Sequence, residues 1–188
     1  VSTNETLTID SISNLRETFL KNEWFPWARV YKRFIFNTLR FPVGRHYEDI
    51  ALIPKTYLLS KKIKRMTDTL VLYRVRKNSI TNAPRKKDID DIICAMGVFN
   101  ELLNRKGKSE IETIAPSVHQ TYSLAKRIST KINGYCSFNE EQIHYIKKAV
   151  TPFSGTQKFS KRINLLFIRE YCLIKKIKYQ LRSVRTKV

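Results

Sequence analysis

The sequence predicts a mixed α/β chain that is mostly helical, with a few strands. Three observations predict it. Apolar residues recur at helical spacing through four segments of the second half, 86–104, 110–132, 139–150 and 157–183. One short run, Met66 to Arg76 (MTDTLVLYRVR), is dense in β-branched and aromatic residues and reads as a strand. A hydrophobic share of 42% with only 5 Gly and 6 Pro places the 188 residues among folded chains rather than disordered ones.

The elements follow in order. Ile12, Leu15, Phe19 and Leu20 predict a helix over 10–22, with Asp10 or Ser13 as its N-cap. Trp24, Phe25 and Trp27 surround Pro26, which favours a turn or extended backbone. Ala28 to Phe36 reads as a short helix or a strand–helix join, and Arg40 to Tyr47 as a loop around Pro42 and Gly44. Glu48 to Lys62 is helix-like, with Pro54 in its early turns. Ser79 to Arg85 is a loop, Asn133-Gly134 a helix stop, and Ser137-x-x-Glu140 a capping box for the helix over 139–150. Thr151 to Gly155 reads as a linker. The expected organisation is a first unit over 1–85, a helical extension over 86–152 and a basic tail over 153–188.

Charge narrows the partners. Lys and Arg number 36 against 16 Asp and Glu, a net charge of +20, which calls for an anionic partner. Residues 153–188 hold ten Lys or Arg against one Glu. Phe159, Ile163, Phe167, Tyr171, Ile174, Ile177, Leu181 and Val184 share one side of that predicted helix, with the basic residues mostly opposite. Such a helix suits an anionic membrane surface, or packs on the body with its basic face in water. Nucleic acid is the lesser reading, because no helix-turn-helix, zinc-finger or RRM signature accompanies the charge. The N-terminus is polar, no run reaches the roughly 18 apolar residues of a membrane span, and the expected location is the cytoplasm or the cytoplasmic face of a membrane. The chain begins with Val rather than Met, which suggests a processed chain or a piece of a longer one. Cys94, Cys136 and Cys172 lack CxxC spacing and read as reduced, buried thiols. His46, His119 and His144 are too scattered for a three-ligand metal site.

A few residues carry chemical possibilities. Glu48-Asp49 at a helix start supplies a carboxylate that can take a proton from a hydroxyl; acids at that position also simply favour the helix macrodipole. Arg74 and Arg76, two apart on the expected strand, share a face and can grip phosphate oxygens bidentately, or are ordinary surface arginines. Ser79 either joins them or caps the following loop. Trp24, Trp27 and Tyr31 form either a wall for stacking on a sugar or part of the core. Asp88-Ile89-Asp90 looks like a metal-binding Asp-x-Asp but opens a helix, where acids are favoured anyway.

Taken together, Trp27, Tyr31-Lys32, Phe41-Pro-x-Gly44, Tyr47-Glu48-Asp49, Lys61-Lys62-Ile63 and Tyr73-Arg74-x-Arg76-x-x-Ser79-Ile80 resemble the acceptor side of family 2 glycosyltransferases. The resemblance covers about residues 10–100. It implies an α/β, GT-A-like fragment with a few strands at the edge of a sheet. It implies inverting transfer from a nucleotide-sugar, UDP-linked, to a glycan or lipid-linked acceptor in cell-surface polysaccharide synthesis. By the same resemblance Asp49 is the general base, assisted by Glu48. Arg76, Arg74 and Ser79 face the leaving diphosphate, and Trp27, Tyr31, His46 and Tyr47 hold the acceptor. The family also uses Mg or Mn, held by an Asp-x-Asp that precedes the Glu-Asp pair, and no such motif lies there in this chain. A catalytically inactive remnant is the alternative.

Overall fold

The computed structural model describes residues 6–66, 68–74, 83–103, 107–156 and 167–185. Six α-helices and one two-stranded sheet make up the regular structure among the described residues, joined by short 3-10 turns. The helices are α1 (Arg16–Lys21), α2 (Glu48–Leu58), α3 (Lys87–Glu101), α4 (Lys108–Asn133), α5 (Glu140–Val150) and α6 (Ile168–Arg185). Strands β1 (Thr6–Thr8) and β2 (Lys62–Lys64) run antiparallel, with Leu7 opposite Ile63.

The predicted first helix divides into a 3-10 turn over Ile12–Leu15 and α1. Its start is held by Asn14, whose Oδ1 accepts from the N–H of Ser11 at 2.9 Å, rather than by Asp10 or Ser13. Asn22 closes α1 in a left-handed conformation, and Trp24 donates its indole N–H to Asn22 Oδ1 at 2.6 Å. Two carbonyls at the end of α1 have no helical donor of their own. Side chains of α4 supply donors: Ser117 to Phe19 O at 2.6 Å and Gln120 to Leu20 O at 2.7 Å.

Helix α4 stops at Gly134, as the Asn-Gly pair predicts. Gly134 has φ +78, and a Cβ there would stand 2.7 Å from the Tyr179 ring of α6. The cap of α5 is shifted two residues from the expected box. Asn139 and Gln142 exchange side-chain and backbone hydrogen bonds, while Ser137 instead pairs with Ser129 of α4. The segment expected as a linker is a 3-10 turn, Thr151–Thr156, that buries Phe153 completely.

The core is one cluster. It joins Leu15, Phe19 and Trp24 to Ile50 and Ile53 of α2, the apolar faces of α3, α4 and α5, and Ile168 and Cys172 of α6. Helices α3, α4 and α5 pack on one another, α1 on α4, and α2 on α3.

The strand expected over 66–76 is absent from its described part. Residues 66 and 68–74 are irregular, and Leu70, Leu72 and Tyr73 are all exposed. β propensity describes a residue's fit to a half-buried pleated surface, and no described strand lies beside this run to provide one. All three cysteines are free, but Cys94 is exposed rather than buried. Cys136 and Cys172, far apart in sequence, meet between the α4–α5 turn and α6. The Cys136 thiol donates toward Cys172, which raises the one and lowers the other.

Candidate functional site

Helix α2 starts abruptly, and the residues before it make that start. Gly44 takes φ +72, which suits glycine. Tyr47, the N-cap, takes φ 59, a left-handed conformation that a bulky side chain adopts only under constraint. The constraint comes from α3. Its first turns carry Asp88 and Asp91, both buried. Asp91 accepts from the backbone N–H of His46 at 3.1 Å and from the Arg45 guanidinium at 3.3 Å. Asp88 accepts from Arg85 through its N–H at 2.8 Å and its Nε at 3.0 Å. His46 Nδ1 lies 2.8 Å from Asp88 Oδ1, close but without hydrogen-bonding geometry. Lys87 adds a bond to Gly44 O at 3.2 Å. The loop before the Glu-Asp pair is therefore fastened at three consecutive residues to the start of α3.

Glu48 and Asp49 diverge from this start. Glu48 lines a cavity of about 400 Å³, together with Arg40, Arg45, His46, Tyr47 and Lys55. Asp49 does not line it. Asp49 is half-buried, its Oδ1 accepts from the Ile50 N–H at 2.8 Å, and Arg29 acts on it electrostatically. Burial raises its carboxyl above the usual range and the Glu48 charge adds to this; the Ile50 N–H and Arg29 pull the other way. Arg29 is itself held by Tyr57 Oη at 2.8 Å and by the carbonyls of Phe25 and Glu23.

The aromatic residues of the expected wall part company. Trp24 is core, edge-on to Phe19 and Tyr57. Trp27 is 44% exposed and sits in a ladder of rings, stacked on Phe25 at 5.2 Å and on Tyr73 at 5.1 Å. Tyr31 packs edge-on to Phe36, and burial pushes its phenol up to about 12, partly offset by Arg29. Burial does the same to Tyr47, also to about 12, with Asp88 and Asp49 adding to it. The Trp27–Tyr73 stack brings exposed Arg74 beside this aromatic surface. Arg76 and Ser79 lie outside the described residues.

The expected residues thus fall on two sides of the start of α2. His46, Tyr47 and Glu48 line the cavity. Asp49 and Tyr31 lie within the electrostatic reach of Arg29, which also bonds to the Phe25 carbonyl. Sequence reasoning missed Asp88 and Asp91 as site-forming residues, and missed Arg29, Arg45 and Arg85. A signal for the two acids was present: the apolar face of α3, traced back from Phe99 through Ala95 and Ile92, lands on both.

Among the described residues no three or more His, Cys, Asp or Glu gather as metal ligands. Asp88-Ile89-Asp90 does not fit a metal pair, because Asp88 is buried against Arg85 while Asp90 faces out and accepts from Gln142 at 2.7 Å.

Two curated proteins of Streptococcus pneumoniae serotype 4 are similar to this chain. Glycosyltransferase GlyA is 36% identical over 81 residues, which are 43% of this chain and 12% of GlyA. Glycosyltransferase GlyG is 40% identical over 55 residues, 29% of this chain and 18% of GlyG. The chain thus matches less than a fifth of the length of either relative. No family model and no solved structure matches it.

Proposed function

We propose that this chain supplies the acceptor side of a GT-A-type, family 2 glycosyltransferase. The partial similarity to GlyA and GlyG supports the reaction class. The observation that carries the site is the constrained turn at Tyr47, which presents two adjacent carboxylates in different surroundings. Asp49, half-buried and raised, is the group suited to accept a proton. It takes the proton of an acceptor hydroxyl as that oxygen bonds to the anomeric carbon of a nucleotide-sugar. The bond from that carbon to the diphosphate breaks on the opposite face, which inverts the configuration. Arg74 stands by the aromatic ladder for the departing diphosphate. Glu48, His46 and Tyr47 line a cavity on the other side of the start of α2, which suits a more distant part of a glycan or lipid-linked acceptor whose reacting hydroxyl lies at Asp49.

The test is Asp49→Asn in the natural gene product. Turnover should fall by at least about 100-fold, the usual share of general base catalysis. Nucleotide-sugar affinity, measured by calorimetry, should stay nearly unchanged. Retained turnover removes Asp49 as the base.

A further inference from the structure

Helix α6 has two apolar faces, and the body of the protein uses one. Ile168 and Cys172 are buried in the core cluster. Two turns beyond Cys172, Tyr179 lies over Gly134 and beside Tyr135, with ring centroids 5.5 Å apart. The other face is a stripe of Leu173, Ile174, Ile177 and Leu181, whose exposures are 57%, 51%, 45% and 62%. At 3.6 residues per turn this stripe lies nearly opposite Ile168 and Cys172. Ile174, Ile177 and Leu181, which share one side in the sequence, face away from the core that Ile168 and Cys172 enter.

Cations border the stripe on both flanks. Lys178 follows Ile174 by one turn and Arg182 follows Lys178 by one more, all exposed; Lys176 stands on the other side beside Leu173. Arg169 on that second flank is engaged by Glu140 of α5. Glu170 marks the N-terminal end of the stripe.

We infer that α6 seats this protein on an anionic lipid bilayer, lying in the headgroup plane with the body on its far side. The aliphatic centre suits the boundary of the acyl region, and the flanking lysines suit acidic headgroups. A nucleic acid would use the cations and leave the aliphatic stripe in water. A second copy would set two rows of cations against each other. Four aliphatic side chains also fall short of the roughly 800 Å² per partner that a stable protein interface buries. Docking needs no rearrangement, because the face that holds α6 to the core points away from the stripe. This inference rests on α6 alone and stands or falls independently of the transferase chemistry.

The experiment is co-sedimentation of the 188-residue chain with vesicles of phosphatidylcholine plus phosphatidylglycerol, and with phosphatidylcholine alone. Two double variants accompany it, Ile177→Ser with Leu181→Ser and Lys176→Gln with Lys178→Gln. Binding is expected on the acidic vesicles only, weakened roughly tenfold or more in each variant. If the serine variant does not fold by circular dichroism, the glutamine variant carries the test. Equal binding by the glutamine variant, or equal binding to neutral vesicles, overturns the inference. So does a dimer, detected by light scattering, that Ile177→Ser with Leu181→Ser dissociates. Retardation of duplex DNA without any vesicle binding overturns it in favour of nucleic acid.

Discussion

Asp49 and Asp88 show how one residue type takes two roles in neighbouring surroundings. Asp49 is raised, chiefly by burial. A carboxyl raised on folding binds more protons in the folded chain than in the unfolded one. Its contribution to stability is therefore lost as pH rises from the ordinary carboxylate range through the raised value. Asp49→Asn removes that loss, so chemical denaturation across this window should show the variant gaining stability relative to the parent as pH rises. Activity should have the opposite dependence on the same group, since the base works only when deprotonated; turnover should climb over that window. Asp88 is different, because it is fully buried and bonded to Arg85. Asp88→Ala removes the acceptor of the Arg85 N–H and guanidinium bonds and should cost roughly 2 kcal/mol, read from urea unfolding. The Glu-Asp pair was legible as chemistry from residue type and position. The divergence of Glu48 and Asp49 was not, because it depends on a left-handed Tyr47 that α3 enforces from 41 positions away.

Helices were legible wherever apolar periodicity was long, as in α3, α4 and α5. Their ends were less so, because caps compete at single residues: Asn139 takes the cap of α5, while the Ser137 backbone N–H and C=O are both engaged by Ser129 Oγ. The junction of α4 with α6 depends on Gly134. Gly134→Ala forces a side chain into the left-handed region, which costs about 1–2 kcal/mol, and also into the Tyr179 ring. The predicted result is a lower melting temperature and faster proteolysis within α6. Adding Tyr179→Ala should recover the steric part and leave the backbone part, a separation that a double-mutant cycle measures. The run Leu70–Tyr73 was misread as strand because β propensity reports only what a residue does when a neighbouring strand is present.

The entire chain carries +20 on a body that fits one core. Self-repulsion of that charge opposes compaction, and added salt screens it. The melting temperature should therefore rise as sodium chloride is added in the absence of lipid; a flat or falling curve would show that the charges are already neutralised by pairing. Among the described residues no helix is long and apolar enough to cross a membrane. Composition, helical periodicity, the excess of cations and the presence of a Glu-Asp pair behind a Pro-x-Gly turn are all properties of local sequence, and local sequence was enough to read them. Folding added the contacts between distant segments. It put Asp88 and Asp91 under the loop of Arg45 and His46, set Trp24 in the core and Trp27 on the surface, joined Cys136 to Cys172, and chose which face of α6 meets the body. Each of those outcomes turns on burial, and burial is a property of the surfaces that meet a residue rather than of the residue itself.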